Sequence, residues 1–197
     1  NKKYKLENLK LKTNIELENL ECAITCCLAL NINQNKIIGV LSNVTNPSGR
    51  LETIEYKKKN SKIIIDYAHT PDALKKILIA YKIKNMKPAI LFGCGGDRDK
   101  VKRKSMGLIA NKYASKIYIT DDNPRNENPS KIRKSILKYC PRAIEVSDRR
   151  KAIKVAIKEL KTNEILIVAG KGHEKFQFLK NKIIKFDDFK VVKQLLN

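Results

Sequence analysis

Long apolar runs are missing from this chain. None of its 197 residues lie in a stretch approaching the roughly 20 apolar residues that a membrane span needs, so no membrane insertion is expected. Residues 1–12 are polar and basic and lack the apolar core of a secretion signal. Paired cysteine spacings are missing too. Cys22, Cys26, Cys27, Cys94 and Cys140 are odd in number and match no disulfide framework or zinc motif. The expectations are free thiols, no metal site and a reducing, cytoplasmic setting. Cys22, Cys26 and Cys27 fall at helical spacing in an apolar stretch and read as buried helix thiols. Neither GxGxxG nor GxxxxGK[ST] occurs.

Acidic residues are scarce: 20 against 42 Lys and Arg, a net charge of +22. The excess is mostly Lys, spread along the whole chain beside abundant Ile and Asn. That pattern reads as a solvated surface rather than a nucleic-acid face. No zinc-finger spacing, RNP-like aromatic strand or basic heptad helix supports a specific nucleic-acid partner. Apolar residues make up 42%, so a core can be buried, and the length suits one domain plus part of another.

Apolar residues at helical spacing predict a helix over residues 15–30 and a shorter one over 35–41. A Pro-Ser-Gly turn, the tetrapeptide Gly49-Arg50-Leu51-Glu52 and a basic linker over Lys57–Lys62 follow, which places a boundary near residues 55–59. Beyond it, short apolar runs predict strands at 63–65, 89–92, 116–120 and 165–169. Helices are predicted between them, at 72–82, 105–113, 129–139 and 149–160. A hairpin is expected over 176–179 and 183–186, and a last helix over 187–196, capped by Asp187 or Asp188. Alternating strands and helices argue for an α/β fold, a mostly parallel sheet with helices on both faces.

The unusual residues follow the ends of the four predicted strands: Asp66-Tyr67-Ala68-His69-Thr70-Pro71-Asp72, Gly93-Cys94-Gly95-Gly96-Asp97-Arg98-Asp99, Asp121-Asp122-Asn123-Pro124-Arg125 and Gly170-Lys171-Gly172-His173-Glu174. In an open α/β sheet ligands bind in the crevice at that edge, so the four loops are expected to converge. Glycines at 93, 95 and 96 allow close backbone approach to a ligand. Arg98 and Arg125 offer planar forks for carboxylate or phosphate, and Asp122 and Glu174 can accept from an ammonium. Such a set suits a zwitterion such as an amino acid. Taken singly, each feature has a plain structural alternative: GCGG as a tight βα turn, His69 as a helix cap, Asp122-Asn123-Pro124 as a turn.

DYAHTPDAL (66–74), FGCGGDRDKVKR (92–103), TDDNPR (120–125) and AGKGHE (169–174) together resemble the signature blocks of MurE-type Mur ligases, in that family's order and spacing. The resemblance runs from about residue 13 onward. It implies a Rossmann-like C-terminal domain over residues 56–197, preceded over residues 1–55 by a helical end of the central ATPase domain. Within that first segment Glu16-Leu17-Glu18-Asn19-Leu20 stands where the family has Asn-x-x-Asn, so Asn19 matches an adenine contact while Glu16 replaces the other Asn. Gly49-Arg50-Leu51-Glu52 matches the family's GRxE, whose Arg reaches nucleotide phosphates.

The resemblance further implies that Arg98, Asp122, Asn123, Pro124, Arg125, Gly170 and Glu174 form the site for meso-diaminopimelate. Asn19, Arg50, Asp66, His69 and Thr70 would contact ATP. The implied activity is ATP-dependent, Mg²⁺-assisted addition of meso-diaminopimelate to UDP-N-acetylmuramoyl-L-alanyl-D-glutamate, in the cytoplasm, for peptidoglycan. The family's phosphate loop, carboxylated lysine, Mg²⁺ ligands and UDP-sugar domain have no counterpart in these residues. The chain is therefore expected to be part of a larger enzyme and to hold no catalytic residue itself. Another Mur or folylpolyglutamate-synthetase-type ligase, or a non-catalytic binding module of the same fold, are the alternatives.

Overall fold

A computed structural model describes residues 9–11 and 13–197; the rest of the polar N-terminal stretch lies outside the described residues. The chain divides into two compact units, residues 1–47 and 48–197. The division falls before the expected one at residues 55/56. Residues 48–55, expected with the first segment, belong to the second unit.

The first unit is helical. Helix α1 (Asn14–Ala29) starts on a reciprocal cap: the Thr13 hydroxyl accepts from Glu16 N at 3.3 Å, and the Glu16 carboxylate accepts from Thr13 N at 2.6 Å. Glu16 also accepts from the Asn46 side-chain amide. Helix α2 (Gln34–Val40) is capped by Asn33. Leu11, Leu20, Ile37 and Leu41 form the small core, with Ile24 and Cys27 packed against it. This corrects the expectation of three buried thiols. Leu20, Ile24 and Cys27 stand at i, i+4 and i+7 on one stripe, whereas Cys22 and Cys26 lie off that stripe and are exposed.

The second unit is built on a six-stranded sheet in the order β1-β2-β6-β3-β4-β5. Its strands are β1 (Glu52–Tyr56), β2 (Ser61–Asp66), β3 (Ala89–Phe92), β4 (Ile117–Ile119), β5 (Ile144–Glu145) and β6 (Ile165–Ala169). All pairs are parallel except β1 with β2. Of the expected basic linker at 57–62, residues 57–60 form the hairpin turn joining β1 to β2, with Asn60 in the left-handed region at φ 47°, and Ser61 and Lys62 already belong to β2. Neither β1 nor β5 was expected. β1 is an edge strand whose ETIEY buries only Ile54 deeply, and β5 is two residues long. Neither can show the apolar run that marks a central parallel strand.

Helices cover the sheet. The five crossover and terminal helices are α3 (Pro71–Ala80), α4 (Lys102–Tyr113), α5 (Pro129–Leu137), α6 (Arg149–Glu159) and α7 (Asp188–Leu196). Ile63, Ile65, Leu91, Leu166 and Val168 point to one face, where Ala152, Ile153 and Ala156 of α6 and Val191 and Val192 of α7 complete the core. Their strand neighbours Ile64, Ile90, Phe92, Ile119 and Ile167 are fully buried on the other face, under the contiguous layer α3, α4, α5. Alternation along each strand thus fills both layers. Four of these helices begin where the sequence offers an oxygen cap: Thr70 before Pro71, Asn128 before Pro129, Asp148 and Asp187; α4 starts after Val101 without a side-chain cap. The hairpin β7 (Phe176–Leu179) and β8 (Lys182–Lys185) forms as expected, apart from the main sheet. No described helix is long and apolar enough to cross a membrane.

Candidate functional site

Strand order decides where the loops meet. β2, β6, β3 and β4 are adjacent and parallel, so the four polar loops leave the same edge side by side. β6 enters between β2 and β3 although it follows them in sequence, which opens the crevice typical of such a switch in strand order.

The loops after β3 and β4 interlock. A Cβ on Gly96 would lie 1.9 Å from the Pro124 carbonyl oxygen, and one on Gly93 would lie 2.3 Å from the Thr120 oxygen. Only glycine permits that approach. Gly96 N donates to the Asn123 carbonyl at 2.9 Å, and Arg125 Nη1 donates to the Gly96 carbonyl at 3.0 Å. Arg103 on α4 fixes the pair from behind. It donates two parallel bonds to the Glu127 carboxylate, at 3.1 and 2.9 Å, and a third to the Gly95 carbonyl at 3.2 Å. These bonds hold Glu127 below its ordinary carboxylate value. Arg103 was not among the expected site residues. Its only signal in the sequence is its place in the GCGGDRDKVKR block.

Arg125 adopts the left-handed conformation at φ 50°. The hairpin holds it there: its N–H donates to the Phe178 carbonyl at 3.1 Å, and Phe178 N donates to Asn123 Oδ1 at 3.1 Å. Arg125 Nη1 also reaches the Asn123 carbonyl at 3.4 Å, which leaves Nε and Nη2 for a ligand. Beside Arg125 an open hollow of about 700 Å³ is lined by Phe178, Leu179, Lys180 and Ile183 of the hairpin.

Asn123, 2% exposed, is the centre of the cluster. Its Nδ2 donates to Glu174 Oε2 at 2.9 Å. Lys171, fully buried, donates to Asn123 Oδ1 at 3.0 Å, Glu174 Oε2 at 2.7 Å and the Phe176 carbonyl at 2.7 Å. Glu174 is partly open, and its Oε1 takes none of these bonds. Asp122 accepts from Asn123 N through Oδ1 at 2.7 Å, and its carbonyl accepts from Gln177 Nε2 at 2.6 Å. Gly170, at φ 109°, lies against Asp122 Oδ2 and donates to the Asp66 carbonyl at 3.0 Å. The structure thus brings Asp122, Asn123, Pro124, Arg125, Gly170 and Glu174 together. Arg98 is exposed at the rim of this cluster: a Cβ on Gly95 would lie 2.9 Å from Arg125 Nη1 and 3.8 Å from Arg98 Cγ, and Arg98 Nη1 donates to the Asp97 carbonyl at 3.4 Å. Lys171 and Gln177 are the groups missed from sequence.

The other half of the edge gathers around Tyr67. The Arg50 guanidinium lies over its ring at 4.6 Å, and the rings of His69 and His173 lie 4.5 and 5.0 Å away. Gly49 and Gly172 are pressed together: a Cβ on Gly49, at φ 71°, would meet His173 N at 2.0 Å. The Gly49-Arg50 turn therefore docks on the loop after β6. Asp66 makes that docking firm, accepting from Leu51 N at 2.9 Å and Ala68 N at 2.7 Å. Burial raises its carboxyl above the ordinary value, against the pull of those two donors and Arg50. His69 contacts the Tyr67 carbonyl at 2.9 Å through Nδ1 and does not cap α3; Thr70 does, accepting from Ala73 N at 3.3 Å. So Arg50 and His69 face outward, while Asp66 and Thr70 are engaged with backbone. Asn19 is exposed on α1, in the other unit.

Beneath the crevice Arg149 and Asp188 form a fully buried pair with bonds of 2.8 and 2.8 Å. Arg149 also donates to the Ala169 carbonyl at 2.9 Å, at the end of β6. Burial alone would weaken its charge, but Asp188, helped by Asp122 and Glu174, more than offsets this.

A protein of Anaplasma marginale named UDP-N-acetylmuramoyl-L-alanyl-D-glutamate--2,6-diaminopimelate ligase is 42% identical over 185 residues, 92% of this chain and 38% of that protein. One of the same name from Rickettsia rickettsii is 41% identical over 201 residues, 100% of this chain and 41% of that protein. The chain thus spans about two fifths of the length of these curated relatives. A solved structure of a ligase of that name superposes with TM-score 0.70 at 31% identity, covering 94% of this chain and 39% of that one. UDP-N-acetylmuramate-alanine ligase from Thermotoga maritima, at 18% identity and TM-score 0.65, shares the fold, over 95% of this chain and 38% of its own. Residues 49–172 match the family model described as Mur ligase, glutamate ligase domain, and this chain belongs to the Mur ligase family.

Proposed function

We propose that a protein carrying this chain is the ATP-dependent ligase that adds meso-diaminopimelate to UDP-N-acetylmuramoyl-L-alanyl-D-glutamate, a cytoplasmic step in building peptidoglycan for cell shape and division. The observation that carries this reading is the cluster in which Asn123 joins the guanidinium of Arg125 to the carboxylate of Glu174, whose Oε1 takes none of the cluster's bonds. An amino acid with carboxylate and ammonium at its far end finds a partner for each there. The names of the relatives point to the same acceptor.

In the reaction, the γ-phosphoryl group of ATP passes to the D-glutamyl carboxylate, giving an acyl phosphate and ADP. The acceptor's amine attacks the acyl carbon, the amide bond forms and phosphate leaves. This chain's part is to bind and aim the amino acid, so that its amine meets the acyl phosphate as a bound neighbour rather than by chance encounter. Arg125 takes the distal carboxylate and Glu174 the ammonium, with Arg98 adding charge from the adjacent loop. Arg50 and His69, open beside Tyr67, are the groups offered to the nucleotide. Asp66 and Thr70 shape that turn rather than reach out of it. Among the described residues no group of His, Cys, Asp and Glu is placed to hold a metal ion, so Mg²⁺ is assigned no ligand here.

The 197 residues hold no GxxxxGK[ST] loop. A polypeptide of these residues alone is expected to form no product and release no ADP. The same chain continuous with a phosphate-loop domain is expected to form the amide in step with ADP release. ADP release by the 197 residues alone, stimulated by the UDP-substrate, would contradict the reading.

A further inference from the structure

Lys171 is the group that the proposed chemistry leaves unexplained. Its ammonium is fully buried, where an unpaired charge is costly. It has three N–H bonds, and three acceptors meet them: Asn123 Oδ1 at 3.0 Å, Glu174 Oε2 at 2.7 Å and the Phe176 carbonyl at 2.7 Å. Those acceptors belong to three segments: the loop after β4, the loop after β6 and the start of β7.

The consequences follow bond by bond. Lys171 and Phe178 N both donate to Asn123 Oδ1, so the amide cannot flip, and its Nδ2 is turned onto Glu174 Oε2. Glu174 Oε2 then holds two donors, which leaves Oε1 as the outward oxygen. Through Phe176 the same ammonium fixes the strand whose Phe178 carbonyl holds Arg125 N. One buried charge therefore sets both the carboxylate and the guanidinium between which an amino acid would lie.

We propose that Lys171 is a positioning residue for the amino-acid site: it touches no substrate, and it sets the distance and direction between Glu174 Oε1 and Arg125. This rests on the reading that the cluster binds a diamino dicarboxylic acid. Lys171→Met keeps the length and apolar stem and removes all three bonds. In the ligase carrying this chain, the variant should raise KM for meso-diaminopimelate at least tenfold while KM for ATP and for the UDP-substrate stays within twofold. A role confined to folding would lower the active fraction, and so kcat, and leave the amino-acid KM alone; that result overturns the proposal. If the variant does not fold, the wild-type protein gives the answer. A buried, fully bonded ammonium is protected from exchange, and its ¹H–¹⁵N signal should shift when meso-diaminopimelate engages Glu174 Oε1, and should not shift in Glu174→Gln. A wild-type signal unmoved at saturating amino acid overturns the proposal. Wild-type protein that saturates with no meso-diaminopimelate at all refutes the underlying reading instead.

Discussion

Cys94 sits between two glycines of the loop after β3, 3% exposed, and burial pushes its thiol up to about 12; burial likewise pushes Cys140 up to about 11. Only the thiolate attacks an alkylating agent. Native protein treated with iodoacetamide at pH 8 should therefore lose Cys22 and Cys26, exposed on α1, and keep Cys94 and Cys140 until denaturant is added. Peptide mapping reads this directly, and rapid native labelling of Cys94 would contradict the closed loop. The residue scale is also where sequence is least transparent. Arg125, Asn123 and Glu174 stand out because their types suit a zwitterion and because they follow strands. Arg103 and Lys171 are two among 42 basic residues. What sets them apart is burial against Glu127, 24 positions away, and Asn123, 48 positions away, and no local pattern records such a partner. Asp66 shows the reverse: it follows a strand as a ligand-binding acid would, yet both its oxygens are taken by backbone N–H groups.

Elements were legible where burial is uniform along them. β3 and β6 are buried at every position and read as apolar runs of matching length. β1 carries Glu, Thr and Tyr on an edge, so its pairing with β2 depends on tertiary context, and the unit boundary moved with it. The last helix was predicted by its Asp cap, but its tie to the crevice was not. Asp188 of α7 grips Arg149 of α6, and Arg149 grips the end of β6. Asp188→Asn leaves a buried guanidinium without its counter-charge, a loss of roughly 3–5 kcal/mol. At about 2–4 °C per kcal/mol for a domain of this size, the midpoint of thermal unfolding should fall on the order of 10 °C. A fall under about 2 °C would mean that the pair does not anchor α7.

At the scale of the whole molecule, the charge of +22 and the site make separate predictions. Lysines spread over the surface attract any polyanion by counterion release, so binding to DNA should be indifferent to sequence and collapse between about 50 and 200 mM salt. Titration of two unrelated duplexes checks this; a preference for one that survives at physiological salt would mean that a dedicated nucleic-acid face exists. The convergence of four loops at one edge was legible because alternating strands and helices leave few places for a ligand in an open sheet. The hairpin's role as the brace of Arg125 was not, since it rests on backbone bonds that no residue type announces. The central claim is that this edge selects an amino acid by its distal carboxylate, and kcat/KM for meso-diaminopimelate against L-lysine tests it most directly. The two differ by that carboxylate, and leaving the Arg125 fork unmatched costs on the order of a few kcal/mol. The ligase carrying this chain should prefer meso-diaminopimelate by roughly a hundredfold or more, and Arg125→Ala should erase most of that preference while leaving the residual use of lysine nearly unchanged. Equal use of the two amino acids, or equal losses for both on Arg125→Ala, would contradict the account.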